Sequence, residues 1–167
     1  LLFISTTALT FDLTASIPGI NPIKELIERL QSDSLLRKKY GIKDLSLLQS
    51  FYENNHYQWQ WYNNNNAVTN RKQLIHKLSN AKSYAIKERN TGLLQLKCND
   101  CTLNDSLISE IKFSNAGLTF FKDLAYSDTS FVSYNGWHYS PDCNDISWML
   151  QKSIESGDYD TYIKLAE

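Results

Sequence analysis

The sequence predicts a mainly α fold, a single helical domain of about six helices with a small aromatic extended or hairpin element. Three observations lead there. Only three prolines and six glycines occur in 167 residues, too few turn residues for a sandwich of many short strands. Apolar residues recur at spacings of three and four along most of the chain. Asn and Asp stand repeatedly just ahead of those runs, where helix caps belong.

Residues 1–21, beginning "LLFISTTALTFDLTAS", form an apolar N-terminal segment rich in small residues. It is too short to span a bilayer. It reads either as the remnant of a secretory signal peptide or as a strand or helix packed on the domain. The helical domain then runs over residues 22–167. Asn21-Pro22 is a helix start, a capping Asn followed by Pro at the first helical position. Ile23, Leu26, Ile27 and Leu30 share one face of this helix, and Lys24, Glu25, Glu28 and Arg29 the other. Residues 32–41 read as a connection ending at Gly41. Asp44 caps the next helix, which turns Leu45, Leu48, Phe51 and Tyr52 inward.

In "YQWQW", rings and amides alternate with period two, which predicts a short extended segment. Tyr57, Trp59 and Trp61 then fall on one side, and Gln58 and Gln60 face water on the other. Phe51, Tyr52, Trp59 and Trp61 are expected to plug the core between helices, with Trp61 the better buried of the two tryptophans. The other use for such rings, a ligand shelf, would need them exposed.

After the polar turn "YNNNNA", Thr69 or Asn70 starts a helix carrying Leu74, Ile75, Leu78, Ala81 and Ala85, ended by Gly92. A long helical pattern runs from Asp105 to Tyr126, with Leu107, Ile111, Ala116, Phe120, Leu124 and Ala125 inward. Gly117 within it costs about 1 kcal/mol against Ala and is expected to permit close packing or a kink. "FVSYNGWHYSP" is an aromatic loop or hairpin with its turn at Asn135-Gly136. Asp142 or Asn144 caps a helix with Ile146, Met149, Leu150 and Ile154; Gly157 stops it, and Asp158 opens a final short helix.

Composition excludes some functions. The net charge is −1 and the longest basic run is Arg37–Lys39, so nothing points to nucleic acid as a partner. There is no Gly-rich phosphate loop, no GxSxG and no HExxH. No catalytic residue and no cofactor is therefore assigned. His56 and His76 read as surface or satisfied core residues, and Asp142 and Asp145 as helix-start carboxylates favoured by the macrodipole. Cys98-x-x-Cys101, with His138 and Cys143, has the ligand types and spacing of a zinc set. The same Cys98, Cys101 and Cys143 serve equally as a disulfide plus one thiol in an exported protein, or as plain thiols. These two readings rank ahead of zinc, because an oxidising compartment favours the S–S bond.

"LSLLQSFYENNHYQWQW" resembles the start of the scaffold domain of the large, YcbB-like bacterial L,D-transpeptidases. Tyr52 matches the tyrosine of that pattern and Trp61 its tryptophan. Trp59 stands where the family usually has Pro, and Asn55 where Arg is frequent. "IKELIERLQSDS" is similar to the helix that opens such domains, "SLISEIKFSNAGLTFFKDLAYSD" to a later helix, and "ISWMLQKSIESGDYDTYIKLAE" to the closing pair. "TGLLQLKCNDC" departs from the family's loop. The family's nucleophilic Cys lies in a Ser-x-Gly-Cys-Val/Ile-Arg signature with an upstream His, and no cysteine here matches it. The resemblance thus implies the non-catalytic scaffold of a peptidoglycan cross-linking enzyme of the periplasm or cell envelope. Its partner would be a catalytic domain in the same polypeptide, with peptidoglycan a further candidate. The alternative is a stand-alone exported helical binding or interaction module, with or without zinc.

Overall fold

The computed structural model describes residues 21–62, 66–84, 86, 102–126 and 143–166. Among them are seven α-helices, a short 3-10 turn and no strand. The helices are α1 (Pro22–Ser32), α2 (Ser34–Tyr40), α3 (Leu45–Asn54), α4 (Ala67–Ser79), α5 (Leu103–Tyr126), α6 (Cys143–Ser156) and α7 (Tyr159–Ala166). The fold is mainly α, as the periodicity predicts. The segment 1–20, the helix end expected at Gly92, the loop or hairpin expected around Asn135-Gly136, Ala85 and Asp142 lie outside the described residues.

Local chemistry sets the helix starts. The Asn21 side chain accepts hydrogen bonds from the Ile23 and Lys24 amides, and Pro22 follows it. Asp44 accepts from the Leu47 amide at 3.1 Å, and Asp158 from the Thr161 amide at 3.1 Å. Gly157, at φ 70°, ends α6 in the left-handed conformation that a Cβ disfavours.

Residues 34–40 correct the expected connection: they are helix α2. Nothing on α2 is fully buried; of its apolar residues only Leu36 and Tyr40, one turn apart, pack half-buried against the core, a stripe too short to reveal it. It is held by its ends. Asp33 accepts from the Leu36 amide at 2.9 Å, and Gly41 closes it at φ 71°. The Arg37 guanidinium also donates to the Leu30 and Gln31 carbonyls at 2.7 and 2.9 Å, satisfying the end of α1.

The bounds of α4 are a second correction. The helix begins at Ala67, so Thr69 and Asn70 lie inside it, and it ends at Ser79, so Ala81 falls in the 3-10 turn that follows instead of continuing it. Asn70 is buried and donates to the Ile154 carbonyl at 3.2 Å. Gln73 likewise donates to the Gly157 carbonyl at 3.0 Å. Two amides on α4 thus satisfy carbonyls at the end of α6. Residue 144 is a third correction, since Asn144 falls within α6 rather than capping it.

The long α5 runs through the middle, against α1, α3, α4, α6 and α7. Phe113, Leu118 and Phe121 are buried along with Leu107, Ile111, Phe120 and Leu124, so α5 is apolar nearly all round, as a central helix must be. Gly117 lets α6 approach: a Cβ there would lie 2.8 Å from Cδ1 of the fully buried Leu150. Gly117→Ala is therefore expected to destabilise the domain. The overpacking cost of about 1–3 kcal/mol outweighs the roughly 1 kcal/mol gained in helix propensity. Urea unfolding of Gly117→Ala checks this; a midpoint at or above wild type would show that Leu150 moves aside freely.

Candidate functional site

Where α3 ends, the chain enters an arm of residues 55–62 that belongs to no helix. His56 and Tyr57 adopt φ 51° and 55°, a left-handed turn uncommon for residues with a Cβ. The arm is not a regular strand, so alternation does not govern its faces. Trp61 is fully buried and Trp59 half-buried. Gln58 is exposed, but Gln60 is buried, which corrects the expectation that both amides face water. Phe51 and Tyr52, on the last turns of α3, are fully buried.

One carboxylate organises this arm. Glu110, on α5, has no exposed surface. It accepts from the Gln60 amide at 2.7 Å, the Trp61 amide at 2.9 Å and the Tyr52 hydroxyl at 3.1 Å. One turn along α5, the Ser114 hydroxyl takes the Trp61 indole N–H at 2.8 Å and lies 2.7 Å from the Tyr52 hydroxyl. The Trp61 ring stacks on Phe113, centroids 5.5 Å apart. Arg71 of α4 donates to the Trp61 carbonyl and lies over the Tyr62 ring. The Gln60 and Trp61 amides, the indole N–H and the Trp61 carbonyl thus each have a partner on α5 or α4, as burial demands.

Burial pushes the Glu110 carboxyl up to about 7, against the pull of the Gln60, Trp61 and Tyr52 hydrogen bonds and the Arg71 charge. Burial, and then the Glu110 charge, hold the Tyr52 hydroxyl well above its ordinary range. It stays protonated and donates. This knot is sealed inside the core, and its chemistry is that of an anchor.

The other side of the arm faces a cleft of about 640 Å3, lined by Asn21, by amides and rings of residues 54–60, and by Gln151 and Glu155 of α6. The sequence pattern reveals Tyr52 and Trp61 but not Glu110 or Ser114. The available signal was a Glu among apolar positions of a helix pattern, a place where an unpaired charge is costly. Cys98, Cys101 and His138 lie outside the described residues. Of Cys143, the described part is its backbone at the start of α6. Among the described residues no group of three or more His, Cys, Asp or Glu could hold a metal. No described helix is long and apolar enough to cross a membrane.

Together these features define a mainly helical domain in which a long central helix anchors an aromatic arm. The chain belongs to the family described as "Scaffold domain", whose match covers residues 46–167, from the first turn of α3 through α7. Neither a curated protein nor a solved structure gives a match.

Proposed function

We propose that the chain is the non-catalytic scaffold of a peptidoglycan L,D-transpeptidase, exported to the periplasm or cell envelope, where it supports a catalytic domain of the same polypeptide. One observation carries this reading. Tyr52 and Trp61, the two residues shared with the transpeptidase scaffold pattern, both meet the Ser114 hydroxyl of α5, at 2.7 and 2.8 Å. Ser114 itself lies in the third resembling block, "SLISEIKFSNAGLTFFKDLAYSD". The two matching residues of the first block thus meet a residue of another resembling block at one buried junction.

The test has two arms. The gene's reading frame beyond residue 167 is expected to encode a Ser-x-Gly-Cys-Val/Ile-Arg segment; a frame without it leaves a stand-alone interaction module. In the second arm the chain is incubated with disaccharide-tetrapeptide, and the products are read by mass spectrometry. No cross-linked dimer is expected, because a Cys needs an activating base and oxyanion donors to attack an acyl group. Dimers that vanish on replacing Cys98, Cys101 or Cys143 would sink the reading.

A further inference from the structure

The cleft outside the 55–60 arm has a distinctive chemistry. Its rings are Tyr57 and Trp59, both half-buried, with their bodies against the core. Around them stand Asn54, His56 and Gln58, all exposed and with no side-chain hydrogen bond to any described residue. Across the cleft Gln151 donates to Glu155 at 2.8 Å. Glu155 is the single acidic residue among the described residues of the lining, and the Lys152 ammonium meets its carboxylate at 2.6 Å.

Each feature narrows the ligand. No Lys or Arg is among the described residues lining the cleft; the Lys24 ammonium lies over the Tyr57 ring, 5.8 Å from its centroid, and Lys152 is paired with Glu155, so nothing in the lining selects a carboxylate or phosphate. No aliphatic side chain is among these described residues either, so a lipid or apolar peptide would meet only the two rings. What remains, besides Glu155 and His56, are neutral side-chain amides that both donate and accept, next to the Trp59 ring. A pyranose has the matching surface: a C–H face that lies on a ring, and equatorial hydroxyls and an acetamido group that pair with side-chain amides. The arm is also stiff. Its left-handed turn at His56 and Tyr57 is secured by the Tyr57 amide donating to the Tyr52 carbonyl at 2.8 Å and by Asn21 donating to the Tyr57 carbonyl at 3.0 Å. Its far end is tied to Glu110 through the Gln60 and Trp61 amides. A preformed shelf of this kind orders little on binding, which favours affinity.

We propose that this cleft binds a neutral glycan, one sugar ring lying on Trp59 and its polar groups meeting Gln58, Asn54 and Gln151. Such binding would give the scaffold a hold on the wall polymer. It stands, however, on the cleft's own chemistry, whether or not a catalytic domain follows in the reading frame.

The experiment titrates the 15N-labelled chain with chitotetraose, an uncharged N-acetylglucosamine oligomer, and separately with a sugar-free stem tetrapeptide. The Trp59 indole signal is expected to shift saturably with the oligosaccharide, while the fully buried Trp61 signal stays in place. Trp59→Ala is expected to weaken binding about tenfold, the loss of one well-formed ring contact. Gln58→Ala, an exposed change that leaves the fold intact, is expected to weaken it several-fold. The absence of saturation at millimolar oligosaccharide, full binding by both variants, or binding of the tetrapeptide alone would each overturn the proposal. None of these outcomes bears on whether the gene encodes a transpeptidase nucleophile, so the two readings fail separately.

Discussion

Trp61→Ala is expected to unfold the domain or to leave it barely stable. The side chain is fully buried and heads the large side chains of the core. Truncating it removes the stack on Phe113, 5.5 Å between centroids. It also takes from Ser114 the indole N–H held at 2.8 Å. A change of this kind typically costs about 3–5 kcal/mol, a large part of the roughly 5–15 kcal/mol by which a domain is stable. Trp59→Ala, half-buried and without a buried polar partner, should move the urea midpoint much less. Urea unfolding of both variants, run beside pull-down on purified cell-wall sacculi, separates the roles. If Trp61→Ala kept the wild-type midpoint and lost sacculus binding, its place would be in ligand contact and the core role would be wrong.

The helices were legible in the sequence wherever they bury a stripe. Ile23, Leu26, Ile27 and Leu30 on α1, and Ile146, Met149, Leu150 and Ile154 on α6, are all buried, and their spacing is what marks them. Helix α2 was not legible, because periodicity reports burial and of its apolar residues α2 half-buries only Leu36 and Tyr40. Its signals are a capping Asp33, a terminal Gly41 and an Arg37 that acts on a neighbouring helix. Asn70 misled for a related reason. An Asn at the head of an apolar run reads as a cap, yet here its amide reaches the Ile154 carbonyl across the core. Sequence spacing carries no trace of a partner 84 residues away.

The arm shows the same limit. Period two put Gln58 and Gln60 together on a wet face, but that rule holds only for a regular strand. The left-handed pair His56 and Tyr57 rotates residues 58–61, so Gln60 turns inward and its backbone N–H reaches Glu110. Two separate jobs thus fall to adjacent residues of "YQWQW". Trp61 and Gln60 fasten the arm to α5, and Trp59 and Gln58 are left facing the cleft.

Glu110 should be the second position where one change is severe. Glu110→Ala leaves the Gln60 amide, the Trp61 amide and the Tyr52 hydroxyl without the acceptor that now serves all three. Stranding buried donors costs about 1–3 kcal/mol each where no water enters, so a total loss of about 3–5 kcal/mol is expected. Glu110→Gln keeps the shape but must turn an NH2 toward one of the backbone N–H groups, a donor facing a donor. It should lose less, roughly 1–3 kcal/mol. The two variants also carry a pH signature. Burial raises the Glu110 carboxyl from its ordinary 4.5 to about 7, so between those values the folded chain holds a proton that the unfolded chain has released. The stability from this group is complete below about pH 4.5, falls as pH rises toward 7, and is flat above. The full drop is on the order of 3 kcal/mol. Asp44, Glu155 and Asp158 act in the opposite sense. Hydrogen bonds from Lys122, Lys152 and Thr161 help to hold them below their ordinary values, so their contribution is lost as pH falls. Subtracting the Glu110→Gln curve from the wild-type curve cancels those groups and isolates Glu110. Urea midpoints of both proteins between pH 4 and pH 8 should therefore converge as pH rises through the interval from 4.5 to about 7. A constant gap across that interval would mean that the carboxyl titrates alike in the folded and unfolded chain. Glu110 would then hold the arm without the burial cost that its place in the core implies.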